Sequence, residues 1–236
     1  MSVYKCDNIF DILANNEYPG RGIIIGKKGN FAVTAYFIMG RSANSRNRTF
    51  KAEGDDITIY PYDPSKVEDP SLIIYSPVRK LGEKLIVTNG DQTDTIYNGI
   101  ALGSTFENAL ETREFEPDAP NFTPRISGML DFEGGYSYKM SILKSADEKG
   151  SACARYTFNY PAVDGVGHFL STYNGNGSPL PTFTGEPRRI ELSDDIDAFT
   201  EKLWNSLNED NKISLFVSYT DLESGVRTDR MINKYE

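Results

Sequence analysis

Apolar positions along this chain fall into short runs whose spacing changes from segment to segment. Residues 8–15 place Ile9, Phe10, Ile12 and Leu13 on one helical face, and Tyr18-Pro19-Gly20 supplies the turn chemistry that ends it. Ile23-Ile24-Ile25 and the run over 31–39 are β-rich, and Gly26-Lys27-Lys28-Gly29-Asn30 between them predicts a hairpin. Further strands are expected over 56–60, 72–75 and 84–88. Asn89-Gly90-Asp91 is a turn leading into a helix over 93–102. A second helix over 104–113 has Ser104 as N-cap and Glu107 three residues on, the capping-box pattern. After a proline-bearing loop at 114–124, strands are expected over 125–132, 136–143, 153–158 and 169–173. The Gly- and Pro-rich stretch 174–187 reads as a long loop, and 190–192 as a strand end. Residues 194–207 carry the most regular helical pattern, capped by Ser193 or Asp194, with Ile196, Phe199, Leu203 and Leu207 inward. Strands over 213–219 and 227–232 close the chain.

A few helices among many strands, joined by connections too short for parallel crossovers, predict an α+β fold of mainly antiparallel sheets. Neither an internal repeat nor a long linker divides residues 1–236, so a single domain is expected. At 39% hydrophobic and 25% charged, the composition is that of a folded globular chain.

Charge changes the picture next. The formal net charge is −9, which argues against nucleic acid or an acidic membrane as partner. The imbalance is uneven. Residues 18–52 hold seven basic side chains (Arg21, Lys27, Lys28, Arg41, Arg46, Arg48 and Lys51) and no acid, while the rest of the chain carries 18 basic and 34 acidic groups. An acid-free island of this kind suits a small anionic ligand. Lys27 and Lys28, in the expected hairpin turn, read as merely solvated.

Rare residues exclude chemistry. With His168 as the single histidine, no multi-His metal site can be built in one chain, and any Ser-His-Asp or Cys-His device would have to use it. A lone histidine is more often structural, so His168 is given no role in the reaction. Cys6 and Cys153 are too few for a disulfide-stapled scaffold and fit a reducing compartment. No signal-peptide pattern or long apolar run is present, and a cytoplasmic location is expected. No G-x-S-x-G, G-x-G-x-x-G or Walker-type motif supports an elbow serine, NAD or ATP.

Four segments can carry chemistry. Gly40-Arg41-Ser42-Ala43-Asn44-Ser45-Arg46-Asn47-Arg48 combines three guanidinium forks with hydroxyl and amide groups, a set that binds phosphate and equally fits a solvated basic loop. Val87-Thr88-Asn89-Gly90-Asp91-Gln92-Thr93-Asp94 joins a strand to a helix, where backbone N–H groups can meet an anion or simply cap. Glu116-Pro117-Asp118-Ala119-Pro120-Asn121-Phe122-Thr123-Pro124-Arg125 is a stiffened polar loop, suited to positioning a substrate or to a surface connection. Thr172-Tyr173-Asn174-Gly175-Asn176-Gly177 permits close backbone approach, as does any glycine turn.

Taken in order, Gly20-Arg21-Gly22, Tyr36 with Gly40-Arg41-Ser42, Leu72-Ile73-Ile74-Tyr75, Val87-Thr88-Asn89-Gly90 with Thr93-Asp94, and Thr123-Pro124-Arg125-Ile126 resemble the archaeal-type IMP cyclohydrolase family. The resemblance is clearest over residues 18–130. The N-terminal helical extension over 1–17 and the loop 174–187 depart from it. It implies a four-layer αββα sandwich like that of N-terminal-nucleophile hydrolases. It also implies dehydrative closure of 5-formamidoimidazole-4-carboxamide ribonucleotide to inosine monophosphate in purine synthesis. It further implies no metal, no organic cofactor, and a homo-oligomer, with a tetramer suggested.

On that resemblance Arg41 and Tyr75 are expected to polarise or protonate the formyl oxygen, and Glu116 to accept the proton. Arg21, Ser42, Asn44, Arg46, Asn89, Gly90, Thr93, Thr123 and Arg125 are expected to hold phosphate, ribose and base edge. Two other readings remain open. An N-terminal-nucleophile amidohydrolase would need a terminal Ser, Thr or Cys, and simple Met removal would expose only Ser2. A non-catalytic purine-nucleotide-binding protein would bind without conversion.

Overall fold

A computed structural model describes residues 4–67 and 74–235. The elements run α1 (Ile9–Ala14), β1 (Arg21–Lys28), β2 (Phe31–Met39), α2 (Ala43–Arg46), β3 (Thr49–Glu53), β4 (Asp56–Tyr60), β5 (Val78–Leu81) and β6 (Lys84–Thr88). They continue with α3 (Gln92–Ala101), α4 (Phe106–Leu110), β7 (Arg125–Asp131), β8 (Ser137–Ser145), β9 (Cys153–Pro161) and β10 (Val166–Ser171). The last are β11 (Arg188–Glu191), α5 (Ile196–Ser206), β12 (Lys212–Asp221) and β13 (Arg227–Asn233). One sheet has the order β11-β10-β1-β2-β12-β13 and the other β3-β4-β5-β6-β7-β8-β9. Every paired strand in both is antiparallel.

Three apolar layers hold these elements together. Between the sheets, Ile23, Ile25, Tyr36, Ile38 and Phe216 meet Phe50, Ile57, Ile59, Val87, Ile126 and Leu130. On the outer face of the first sheet, Ile24, Val33, Phe37, Leu215 and Val217 pack under α1 and α5 through Ile9, Leu13, Phe199 and Leu203. On the outer face of the second, Ile86, Met129 and Leu143 pack under α3 and α4 through Ile96, Phe106 and Leu110. The arrangement is therefore the expected α+β sandwich, in the layer order αββα. It also explains why β2 reads as an unbroken apolar run: a strand buried on both faces has no solvent side on which to alternate. Each fully buried Ile or Phe contributes roughly 1.5–3 kcal/mol by leaving water.

Several boundaries differ from expectation for local reasons. β1 continues through Lys27 and Lys28, which pair with Ala32 and Phe31, so the hairpin turn is only Gly29-Asn30. Gly29, at φ 56°, supplies the left-handed turn. Helix α4 is capped by Thr105, whose hydroxyl accepts from the Asn108 N–H, and not by Ser104. Helix α5 is capped by Asp195, whose carboxylate accepts from Asp197 and Ala198. Of the strand expected over 72–75, Leu72 and Ile73 lie outside the described residues, and Ile74-Tyr75 is irregular. β3 and β5, which the pattern did not single out, complete the far side of the second sheet. The helix of segment 1–17 belongs to the outer layer, with Phe10 edge-on to Phe199 at 5.9 Å. Among the described residues no helix is long and apolar enough to cross a membrane.

The layers place one set of strand ends together. β1 starts at Arg21 and β2 ends opposite it, with Arg21 facing Ile38. In the other sheet β6 ends where β7 starts, with Thr88 facing Ser127. Segments 40–48, 89–91 and 114–124 thus leave from the same end of the sandwich.

Two outcomes test this packing. Gly26 faces Gly167 across β1 and β10, and a Cβ there would lie 2.3 Å from the Val166 carbonyl oxygen. Gly26→Ala should lower stability by about 1–3 kcal/mol in denaturant unfolding; an unchanged midpoint would mean that the strands separate freely. His168 accepts or donates at Nδ1 to the Tyr138 hydroxyl at 2.7 Å and stacks on Tyr160, with Arg189 and Glu186 alongside. Burial, then the Arg189 charge, holds its imidazole down to about 4. A depressed histidine stabilises the fold fully above the ordinary pKa, and that contribution is lost as pH falls from about 6.5 towards 4. Over that window the wild type should lose about 1–2 kcal/mol more stability than His168→Gln, allowing for partial solvent screening. Parallel pH curves for the two would contradict this.

Candidate functional site

Arg21 opens β1 at the strand end shared by both sheets, and Arg48 enters the same region from the residue before β3. Both side chains are half-buried, and neither forms an ion pair among the described residues. Among the described residues Nε of each is buried without a hydrogen-bond partner, as is the Tyr36 hydroxyl, which projects from β2 into the same interior. Burial works against the Arg21 charge, but Tyr18, Tyr75, Tyr36 and Glu116 around it outweigh that and raise its pKa. Arg48 goes the other way: burial, then repulsion from Arg21, lowers its pKa despite Tyr75, Tyr36 and Glu116. Burial and the neighbouring Tyr75 push the Tyr36 phenol well above its ordinary value, with Arg21 and Arg48 pulling against them. The Tyr36 hydroxyl is next to Tyr75 yet makes no bond of ordinary geometry with it.

Tyr75 is held by its own hydroxyl, which donates to the Asn89 carbonyl at 2.8 Å. Asn89 is locked in turn. Its amide donates to the Pro124 carbonyl at 2.9 Å, while its side-chain oxygen accepts from the Ile126 N–H and from Gln92, each at 2.9 Å. Gly90 gives this turn its closeness, since a Cβ there would lie 2.6 Å from Arg125 Nη1 and 2.6 Å from Gln92 Oε1. The Thr88 and Thr93 hydroxyls lie 2.6 Å apart and both lie within bonding distance of the Gly90 carbonyl, so their two protons serve the three contacts in turn. The strand-to-helix segment is thus a rigid, self-satisfied corner.

Arg125 donates to Asp91 at 2.7 Å and to Gln92 at 2.8 Å, with Glu116 Oε1 3.8 Å away. Burial disfavours the Asp91 carboxylate, but Arg113 and Arg125 outweigh it and hold its pKa below the usual range. The Glu116 backbone is fixed by its N–H to the Thr123 carbonyl at 2.9 Å. Thr123 shares a 2.6 Å hydroxyl contact with Tyr173 and bonds to Asp118. Burial pushes the Tyr173 phenol up to about 12, against the Thr123 bond and the Arg21 charge.

The basic loop is ordered differently. Arg41 donates to Asn176 Oδ1 at 2.5 Å and to the Gly177 carbonyl at 2.9 Å, and its guanidinium lies over the Tyr18 ring at 5.0 Å. Ser42 caps α2 in a reciprocal pair with Ser45. Arg46 donates to the Gly40 carbonyl at 3.0 Å and to Asn211 at 3.3 Å. Asn44 is exposed on the same turn.

Tyr75 and Glu116 therefore lie around Arg21 and Arg48, and Asn89, Gly90, Thr93, Thr123 and Arg125 form the adjoining corner. Arg41, Ser42, Asn44 and Arg46 lie on the neighbouring turn, where Arg41 bonds to Asn176 and Gly177, Arg46 to Asn211, and Ser42 to Ser45 within the turn. Arg48 and Tyr36 were not among the expected ligand-holding residues. Arg48 had been counted in the acid-free island, and its position directly before a strand was the available signal. Half-buried cations with no carboxylate ion pair among the described residues, beside a phenol buried without a partner there, have the chemistry to bind a polyanionic group such as a phosphate.

A family model described as IMP cyclohydrolase-like protein matches residues 18–225. The chain is 33% identical over 117 residues to the IMP cyclohydrolase of Methanothrix thermoacetophila, covering 48% of this chain and 57% of that protein. It is 28% identical over 161 residues to the IMP cyclohydrolase of Methanococcus aeolicus, covering 66% and 74%. Against the IMP cyclohydrolase of Methanococcus maripaludis strain C7 it is 36% identical over 126 residues, covering 50% and 61%. The matched stretch is thus little more than half the length of the first of these relatives.

A site that concentrates like charge should be stabilised by losing one of them. Arg48→Met should raise the stability of the unliganded protein by about 1–2 kcal/mol, roughly 2–8 °C in melting temperature for a chain of this size. Inorganic phosphate should raise the melting temperature of the wild type, and Arg48→Met should abolish most of that rise. A drop in unliganded stability would show that Arg48 is compensated in the native state.

Proposed function

The chain belongs to the IMP cyclohydrolase-like protein family, and we propose that it closes 5-formamidoimidazole-4-carboxamide ribonucleotide to inosine monophosphate. The observation that carries this reading is the pair of half-buried arginines Arg21 and Arg48, whose Nε atoms are buried without a partner among the described residues, beside Tyr36, Tyr75 and Glu116. A phosphorylated polar heterocycle supplies the anion this cluster lacks. The corner residues Asn89, Thr123 and Arg125 are rigid enough to fix such a substrate.

The reaction is intramolecular. The carboxamide nitrogen attacks the formyl carbon and loses a proton, giving a carbinolamine. The former formyl oxygen then leaves as water, taking the remaining hydrogen of the formamido nitrogen, and the ring double bond forms. Holding the two groups in a near-attack geometry supplies much of the rate. In this reading the Tyr75 hydroxyl turns from the Asn89 carbonyl to donate to the formyl oxygen as negative charge develops there, with Arg21 stabilising that charge. Glu116 takes the proton from the carboxamide nitrogen. Arg48 and Tyr36 serve the phosphate or the base edge.

Arg41, in this reading, clamps the 174–187 loop at the rim through Asn176 and Gly177. Ser42, Asn44 and Arg46 then shape the adjoining turn. The enzyme would act in the cytoplasm, where the free thiols of Cys6 and Cys153 persist, and as a homo-oligomer whose size light scattering would give.

An ultraviolet assay of purified protein with the formamido ribonucleotide tests the reading directly. Tyr75→Phe and Glu116→Ala should each lower kcat about 10²–10³-fold, with melting temperatures little changed. Saturable binding of inosine monophosphate without conversion would replace the enzyme by a nucleotide-binding protein. Arg41→Ala should raise KM more than it lowers kcat; a loss confined to kcat would return Arg41 to the formyl oxygen.

A further inference from the structure

At the opposite edge of the sandwich, β10 and β11 of one sheet and β8 and β9 of the other border a recess of about 570 Å³. It shares no lining residue with the site above. His168, in this recess, faces Ile25, whereas Arg21 stands four residues earlier on β1. That spacing separates the two places by about 13 Å along the strand.

The recess has two walls of different chemistry. One is apolar and includes Pro161, Val163, Val166 and Pro187. The other carries Tyr138, Tyr160, His168 and Arg189. The imidazole is held on two sides, by the Tyr138 hydroxyl at Nδ1 and by Tyr160, parallel to it at 3.6 Å between ring centres. A neutral ring that accepts the Tyr138 proton at Nδ1 carries its own proton on Nε2. Nε2 then has a proton to donate and no described residue to receive it. Arg189 makes no ion pair among the described residues, and its Nε is buried without a partner. Its neighbour Arg188 is by contrast already paired, with Asp7 at 2.8 Å. Lys5 adds positive charge, and the exposed Glu186 opposes it at the rim.

Structural roles account for Tyr138 and the stacked rings. They do not account for a buried guanidinium donor left open beside an imidazole N–H and an apolar wall. We propose that this recess is a second ligand site, for a small organic oxyanion: its carboxylate or phosphate on Arg189 and His168 Nε2, its apolar body against Val163, Val166 and Pro187. The 174–187 segment begins two residues beyond Thr172, the residue that follows β10, and Glu186-Pro187 ends it, so the loop that Arg41 grips near one end borders this recess at the other.

The single histidine makes the test direct, because its ring protons give one pair of imidazole resonances for the whole chain. Phenyl phosphate, benzoate and inorganic phosphate are titrated into the full-length protein and the His168 resonances followed by NMR. The proposal expects a saturable shift with phenyl phosphate or benzoate, the choice between them telling phosphate from carboxylate. Arg189→Gln should weaken it at least tenfold, and Glu186→Gln, on an exposed side chain, should tighten it two- to fivefold by removing the opposing charge. The Arg48→Met protein should keep the shift, which separates this recess from the site at the other strand ends and leaves the outcome independent of the proposed reaction. No saturable shift with any of the three probes at 10 mM, roughly a hundredfold excess over protein at NMR concentrations, would overturn the proposal. So would a shift unaltered by both Arg189→Gln and Glu186→Gln.

Discussion

Two half-buried guanidinium groups of like charge, with no carboxylate ion pair among the described residues, are the constraint around which the rest of this structure is arranged. Taking one cation out of water costs several kcal/mol even after relaxation. Arg21 and Arg48 bear part of that cost side by side. Only a rigid frame can hold such a pair, and the frame is the sandwich itself. Arg21 is fixed by the strand pairing of β1 with both β2 and β10, and Arg48 by the start of β3 in the other sheet. The phenols of Tyr18, Tyr36 and Tyr75 and the Glu116 carboxylate provide partial relief. A bound anion would complete it. Stability and ligand binding therefore oppose each other at this place, as they commonly do where a site is built before its ligand arrives.

The second structural theme is division of labour among polar groups. The corner at Asn89, Gly90, Gln92 and Thr93 is satisfied internally, and its donors and acceptors are matched to one another and to β7. It positions Tyr75 and Arg125 without itself being short of partners. The half-buried arginines and Tyr36 are short of partners among the described residues. A matched network gives geometry, and unmatched groups give affinity. The 174–187 segment connects these ideas to the far edge of the molecule, since it is held by Arg41 at one end and reaches Arg189's recess at the other.

Much of the fold was legible in the chain. The apolar runs of β1 and β2, the alternation in β4 and the helical spacing of α5 follow from the burial of one or two faces, a local property of sequence. β3 and β5 were not legible. β3 is half exposed, and β5 has four residues, Val78–Leu81, with only Val78 buried, so neither leaves a strong period. The caps of α4 and α5 were misplaced by one residue or more because Ser104-Thr105 and Ser193-Asp194-Asp195 each offer several competent oxygens. Only the approach angle of the chain chooses among them.

For the site, the sequence by itself determined that an acidic chain concentrates its arginines in one acid-free stretch, and that motifs around Arg21, Tyr75, Asn89 and Thr123 recur in a family order. It could not say which arginines turn inward. Arg41, Arg46 and Arg48 stand within eight residues of one another, yet the structure spends two of them on the loop backbone, Asn176 and Asn211, and turns the third inward with its Nε buried. That choice depends on where β2 ends and β3 begins, in two different sheets, and on which side chains fill the space between. Charge along a chain is a local quantity. Burial of a charge is decided by everything packed around it, and only the tertiary structure assembles that.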